Sequence, residues 1–207
     1  MVYFAVAGFL RVHIICDTIE KSYTTGKGLN MPKKLRKTLG DVHSPTVTAL
    51  MDLIDTQSKD TIRKWCLGYA EDKMLPVFEK HCPGDARPRN AIDAAHDYIN
   101  GKVKFPVVKN IILNECHAAA RELDANPIAQ AAARAVGQGS GVVHTLTHSL
   151  GLFFYAAAAF AYDRIGLNAT EEEYSEIAQE VCLDYTAALR AIAVENEPNP
   201  AKLKWNC

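Results

Sequence analysis

Two histidines, His144 and His148, stand four positions apart in a stretch, residues 135–162, that contains no Asp, Glu, Lys or Arg. In a helix this spacing places both imidazoles on one face. They are then either a metal or catalytic pair, or two core histidines that hydrogen bond to carbonyls or acids of packed helices. The zinc-protease pattern requires Glu directly after the first histidine, and Thr145 stands there instead. We therefore expect structural histidines, and no cofactor.

Further histidines extend the metal-site alternative. His96-Asp97 is the dipeptide of metal-dependent phosphohydrolases, which also need a second histidine upstream and a distal aspartate. His43 lies upstream, but in no recognisable context. A histidine on another helix could instead complete the pair in the uncharged stretch, because a metal site needs a third ligand. The ligands of this alternative are His96, His117, His144 and His148.

Residues 85–89, Asp-Ala-Arg-Pro-Arg, place a carboxylate and two guanidinium groups at the start of a predicted helix. Arginine forks suit the binding of carboxylate or phosphate. Asp85, Arg87 and Arg89 are therefore candidates for binding a partner or ligand. The alternative, which we expect, is that these side chains pair with acids on neighbouring helices, such as Glu79 or Glu115, and so hold the loop before the helix in place.

The densest acidic segment is residues 171–173, three consecutive glutamates, and Glu176 and Glu180 continue it at helical spacing. Acids in the first turn of a helix complement its macrodipole and solvate an exposed face, which is the plain explanation. They could also steer a basic partner and raise its association rate. Glu172 and Glu176 are the candidate contact residues of that second interpretation.

Helix signals dominate from residue 44 onward. Ser44-Pro45 and residues 170–173 read as helix starts, and Pro76 should kink or split the second helix. No segment shows the alternation of an amphipathic strand. The Ala-rich run 127–165 contains glycines at 137, 139 and 141, which mark either close helix packing or a break. We predict an all-α, single-domain bundle of six or seven helices, with a long Ala-rich central helix.

Composition limits the class of protein. A chain of 207 residues with 48% hydrophobic residues suits one domain, and a net charge of -1 without a basic stripe argues against nucleic-acid binding. Six scattered cysteines without a C-x-x-C pair are typical of reduced thiols, so we expect a cytoplasmic location. Polar residues interrupt the uncharged stretch, so we expect a buried core rather than a membrane span.

The start of the chain differs from the rest. Residues 1–30 include an apolar segment without the positive beginning of a signal peptide, followed by a loop-like Thr-Thr-Gly-Lys-Gly. Met31 then begins Met-Pro-Lys-Lys-Leu-Arg-Lys, which looks like an ordinary start. We predict that residues 1–30 are an extension outside the fold and that residues 31–207 form the helical domain.

Several motifs occur in one order along residues 60–165: Trp65-Cys66-x-x-Tyr69-Ala70-Glu71, Leu75-Pro76-x-Phe78-Glu79, Asp85-x-Arg87-Pro88-Arg89, His117-Ala118-Ala119-Ala120-Arg121, Ala132-Ala133-Arg134-Ala135 and His144-x-x-x-His148. In this order they resemble the immunity protein family associated with bacterial polymorphic toxin systems. The resemblance implies an all-helical cytoplasmic protein that binds and neutralises a cognate protein toxin, with no catalytic role. It assigns no contact residues.

Two alternatives to a toxin inhibitor remain open from the residues themselves. One is a metal-dependent hydrolase built on His96, Asp97 and the histidines His117, His144 and His148. The other is a helical scaffold or regulatory module with a small-ligand pocket. Metal analysis of the purified protein distinguishes the first from a binding protein.

Overall fold

The computed structural model describes residues 35–205, and in that range it contains seven helices and no strands. The prediction of an all-α, single-domain bundle of six or seven helices is confirmed. The predicted boundary between residues 1–30 and the domain lies outside the described residues. The helices are α1 (Pro45–Asp55), α2 (59–81), α3 (Arg87–Ile99), α4 (105–122), α5 (Pro127–Gly141), α6 (His148–Ile165) and α7 (Glu171–Arg190).

Helix starts follow local sequence signals. The Ser44 hydroxyl accepts a hydrogen bond from the Val47 amide, and Pro45 occupies the first turn, where a missing N–H costs nothing. Ser58 caps α2 and Asn126 caps α5 in the same way. At α7 the Thr170 side chain and Glu173 form the reciprocal pair of a capping box. These polar caps fix where four of the helices begin.

Two of the helices contain a π turn, in which one more residue than usual closes each hydrogen-bonded ring. Helix α2 consists of Lys59–Tyr69, a π turn at Ala70–Met74, and Leu75–His81. The widened turn precedes Pro76, whose ring would otherwise clash with a carbonyl one turn back. Helix α4 consists of Phe105–Ile111, a π turn at Ile112–Cys116, and His117–Glu122. The predicted disturbance at Pro76 is therefore a widened turn.

The Ala-rich run 127–165 is two helices, α5 and α6, joined by residues 142–147; this is the break that its glycines could mark, in place of one long central helix. The three glycines and the β-branched Val142 and Val143 weaken helix propensity at this point. Folding back also buries the uncharged faces of both helices against each other, which a straight rod could not do. Val142 and Val143 are fully buried in the turn.

Helix α5 lies at the centre and packs against α2, α3, α4 and α6. At Gly139 a β-carbon would lie 2.5 Å from the Ala70 β-carbon and 2.6 Å from Leu152 Cδ1, so the missing side chain permits this close approach. Across the bundle, Trp65 stacks on Tyr185 with ring centroids 3.9 Å apart and donates a hydrogen bond to its carbonyl. These contacts fix α2, α5, α6 and α7 relative to one another.

Candidate functional site

The two histidines of the uncharged stretch do not share a helix face. His144 lies in the turn between α5 and α6, is exposed, and stacks on Phe105 with ring centroids 3.9 Å apart and planes 20° apart. His148 is the first residue of α6. The predicted one-face arrangement is wrong, because the hairpin turn places His144 outside any helix.

His148 is instead grouped with His117, and both rings cover glycines of α5. A β-carbon on Gly137 would lie 2.5 Å from His117 Cε1, and one on Gly141 would lie 2.5 Å from His148 Nδ1. Because these glycines are four residues apart, they share one face of α5 and lie about 6 Å apart along its axis. Because these glycines have no side chains, one imidazole from α4 and another from α6 can lie side by side against the central helix.

Within residues 35–205, the His117 and His148 rings lack hydrogen-bond partners. The Nδ1 atoms of His117 and His148 are buried and make no hydrogen bond within residues 35–205. The expectation that His144 and His148 are core histidines with hydrogen-bond partners is therefore corrected: His144 is exposed, and His148 Nδ1 lies at the Gly141 position without a partner. Burial lowers the pKa of His117, and the charge of Arg134 lowers it further. Burial also lowers the pKa of His148, with a contribution from His144.

Two arginines border these rings. Arg134 precedes Gly137 by three residues on the same face of α5, and its guanidinium carbon lies 5.9 Å from the centre of the Tyr155 ring. The Arg134 Nε is buried without a hydrogen bond. The exposed Arg121 follows His117 by one turn and donates only to the Leu113 carbonyl, at 3.3 Å. We call His117, Arg121, Arg134 and His148 the cationic cluster; among the described residues, no carboxylate forms a salt bridge with any of them.

The remaining histidines with contacts pair with acids. His96 Nε2 lies 2.8 Å from a Glu71 carboxylate oxygen, and His81 Nε2 lies 2.6 Å from Asp163, which also accepts from Lys80. Within residues 35–205, no three His, Cys, Asp or Glu side chains are placed so that they could hold a metal ion. His96, His117, His144 and His148, the ligands of the metal alternative, therefore do not converge on one centre.

Asp85, Arg87 and Arg89 form internal pairs. Arg87 donates to both Asp85 oxygens, from Nε at 2.9 Å and Nη2 at 2.7 Å, and its Nη1 lies 2.9 Å from Glu122 on α4. These hydrogen bonds lower the pKa of the Asp85 carboxyl. Arg89 donates to Glu79 at 2.6 Å, as the sequence predicted. The loop is thus tied to α2 and α4, and the role of these residues in partner binding stays a prediction.

The acidic start of α7 is a solvated face. Glu172 and Glu176 are exposed, and neither forms an ion pair within the described part of the chain, whereas Glu180 lies 3.5 Å from Arg164. Further along α7, Leu183 is 55% exposed, the largest fraction among the exposed large hydrophobic residues of the described range. Acids and an apolar side chain therefore occur on one helix.

The buried cysteines are poor nucleophiles. Cys66 is fully buried, and burial raises the pKa of its thiol well above the usual range. Burial raises the pKa of Cys116 to about 12, and its sulfur donates to the Ala133 carbonyl. A thiol must ionise to attack, so neither residue is suited to covalent catalysis.

Sequence reasoning identified the histidines but missed Arg134, which completes the cationic cluster. Arg134 lies in an Ala-rich run and looks like a solvated helix residue. The spacing of Gly137 and Gly141 was the available signal, because two glycines one turn apart mark a groove that other side chains can enter.

Fold and site together define an all-α protein in which a glycine-lined helical hairpin carries a cationic cluster. No helix in residues 35–205 is long and apolar enough to cross a membrane. The family model described as Imm-5 like putative immunity protein matches residues 52–188, about two thirds of the chain, and the chain belongs to that family. No curated protein and no solved structure matches it significantly.

Proposed function

We propose that the chain is an immunity protein that acts in the cytoplasm by binding a cognate toxin directly, without catalysis. The family match over residues 52–188 carries this proposal, since the matched segment runs from α1 to near the end of α7. The side-chain contacts agree with it. His81 and His96 are engaged by acids, and Cys66 and Cys116 are buried and protonated.

We further propose that the exposed face of α7 meets the toxin. Glu172 and Glu176 lie free of ion pairs within residues 35–205, so their charge is available to a basic partner. Complementary charge of this kind raises association rates, and an exposed apolar side chain such as Leu183 supplies area that gains by burial. In this proposal Asp85, Arg87 and Arg89 support the surface only indirectly, by holding the start of α3 in place.

The first experiment asks whether a toxin partner exists. The product of the neighbouring open reading frame is co-expressed with the full chain, and complex formation and rescue of growth are measured. We expect a stable complex and restored growth. Growth restored without a complex would contradict direct binding. If neither a complex nor restored growth were observed, the immunity function itself would be contradicted.

The second experiment tests the α7 surface. Glu172→Lys and Glu176→Lys should slow association at low salt, with a smaller effect at moderate salt, because exposed charges are screened. The matched control is Asp93→Lys, which makes the same charge change at an exposed site on α3. An unchanged rate at both salt concentrations would remove α7 as the contact surface while leaving toxin binding intact.

A further inference from the structure

Two arginines and two histidines lie around Gly137 and Gly141, and within residues 35–205 no carboxylate forms a salt bridge with any of them. We propose that the cationic cluster is an oxyanion-binding site that receives a phosphate or carboxylate group between α4, α5 and α6. The proposal goes beyond toxin neutralisation and rests on the contacts of these side chains alone.

Three nitrogens of the cationic cluster have unmet hydrogen-bonding capacity. His117 Nδ1, His148 Nδ1 and Arg134 Nε are buried and unpaired, three of the six such side-chain atoms found in the described residues. Buried polar groups are ordinarily hydrogen-bonded, and leaving one unpaired lowers the stability of the fold. Within residues 35–205 no hydrogen-bond partner holds the remaining nitrogens of these three side chains either, so those nitrogens are left for a ligand.

The two imidazole rings have defined orientations on α5. His148 Nδ1 lies nearest the Gly141 position, so Nε2, on the other side of the ring, points away from α5. His117 presents Cε1 to Gly137, with its two nitrogens on either side of that contact. Arg134 is held beside the Tyr155 ring, and the Gln138 side chain lies against Gly151. Nitrogen-bearing side chains from α4, α5 and α6 therefore lie around the same part of the central helix.

The charges of the cluster favour an anion over a cation. Arg121 and Arg134 remain positively charged at every physiological pH and would repel a metal ion. No carboxylate belongs to the cluster, and carboxylates are the usual means of neutralising a bound metal. An oxyanion reverses both effects, because charge-assisted hydrogen bonds from Arg and protonated His are among the strongest in proteins.

An anion would also change the protonation of the rings. The groups whose charge lowers the pKa of His117 are Arg134, Arg121 and His148, and His144 has the same effect on the pKa of His148. All of them disfavour protonation of the imidazoles. A bound phosphate would oppose this influence, so binding and proton uptake should reinforce each other and affinity should increase as the pH falls.

The experiment uses the full chain, isotope-labelled for imidazole nitrogen NMR, with inorganic phosphate and acetate as separate probes. We expect saturable shifts of the His117 and His148 signals, a higher pKa for both rings when an anion is bound, and no change at His43. Tighter binding of phosphate than of acetate would assign the site to a phosphate group, and the reverse order would assign it to a carboxylate. Both results support the proposal.

Variants separate binding from folding. Arg134→Gln should weaken the preferred anion about tenfold, which corresponds to about 1.4 kcal/mol, the scale of one charge-assisted hydrogen bond. Arg121→Gln, at an exposed position, should weaken binding even if Arg134→Gln fails to fold. The matched control is Arg190→Gln in the last turn of α7, which should bind like the parent. Shifts absent with both probes, or affinity unchanged in Arg121→Gln and in folded Arg134→Gln, would overturn the proposal.

Discussion

The ring of His117 occupies the space that a side chain on Gly137 would fill: its Cε1 atom lies 2.5 Å from where a β-carbon would be, and its Nδ1 lies 2.9 Å away. The glycine is therefore required by the histidine and not only by helix packing. His148 and Gly141 repeat the relationship one turn further along α5. These two pairs build the cationic cluster.

Gly137→Ala should destabilise the domain by about 1–3 kcal/mol, the usual cost of overpacking a close contact. The control is Gly68→Ala, within α2, where a β-carbon meets nothing within 4 Å and the better helix propensity should stabilise by up to about 1 kcal/mol. Urea unfolding of each variant gives the two free energies. Adding His117→Ala to Gly137→Ala should recover part of the loss. Equal effects of the two glycine changes would contradict the proposed fit.

The depressed pKa values of His117 and His148 predict that acid weakens the fold. At mildly alkaline pH both rings are uncharged in the folded and unfolded states. As the pH falls through about 6.5, the unfolded chain takes up protons first, because its histidines have their ordinary pKa. The free energy of unfolding therefore decreases until the pH passes the lower pKa values of the folded state.

Urea unfolding across this pH range measures the effect. The double variant His117→Gln, His148→Gln should show a shallower dependence on pH, whereas His43→Gln, at an exposed loop position, should follow the parent. A steeper dependence in the double variant would mean that the folded protein favours the charged rings. Phosphate should be absent from these buffers, because the cluster is proposed to bind it.

Arg89→Ala should cost less than about 1 kcal/mol, because Arg89 and Glu79 are 48% and 39% exposed and water screens such a pair. Arg87→Ala should cost more, since it removes the partner of the half-buried Asp85 and the tie to Glu122. The comparison of the two melting curves is the measurement. A larger loss at Arg89 than at Arg87 would contradict this ranking.

The buried thiols should resist alkylation. Treatment of the native protein with iodoacetamide at mildly alkaline pH, followed by peptide mass spectrometry, should leave Cys66 and Cys116 unmodified, since burial raises the pKa of both and excludes the reagent. Unfolding in guanidinium chloride supplies the control, in which both should react. Rapid labelling of Cys116 in the native protein would show that α4 opens locally.

Local signals were sufficient to predict the helical class and several helix starts, because Ser44, Ser58 and Thr170 act on the amides next to them. The pairing of Arg89 with Glu79 could be predicted as well, since charged groups near a helix start usually find partners. The position of His144 could not. The break before it depends on how α5 and α6 pack against each other, and the spacing of four residues is the same in a helix and across a turn.

The π turns of α2 and α4 have a consequence for insertions and deletions. Each π turn contains one residue more than a regular helical turn. If that residue is deleted, the helical segments before and after the turn keep the same faces toward their neighbours. In α4, deletion of the exposed Asn114 should therefore preserve the direction of His117, which follows the turn. In α2, deleting one residue of the π turn would place Pro76 in a regular helical turn, where its ring would clash with the carbonyl one turn back. Loss of one residue should therefore be tolerated in α4 but not in α2 as long as Pro76 is kept.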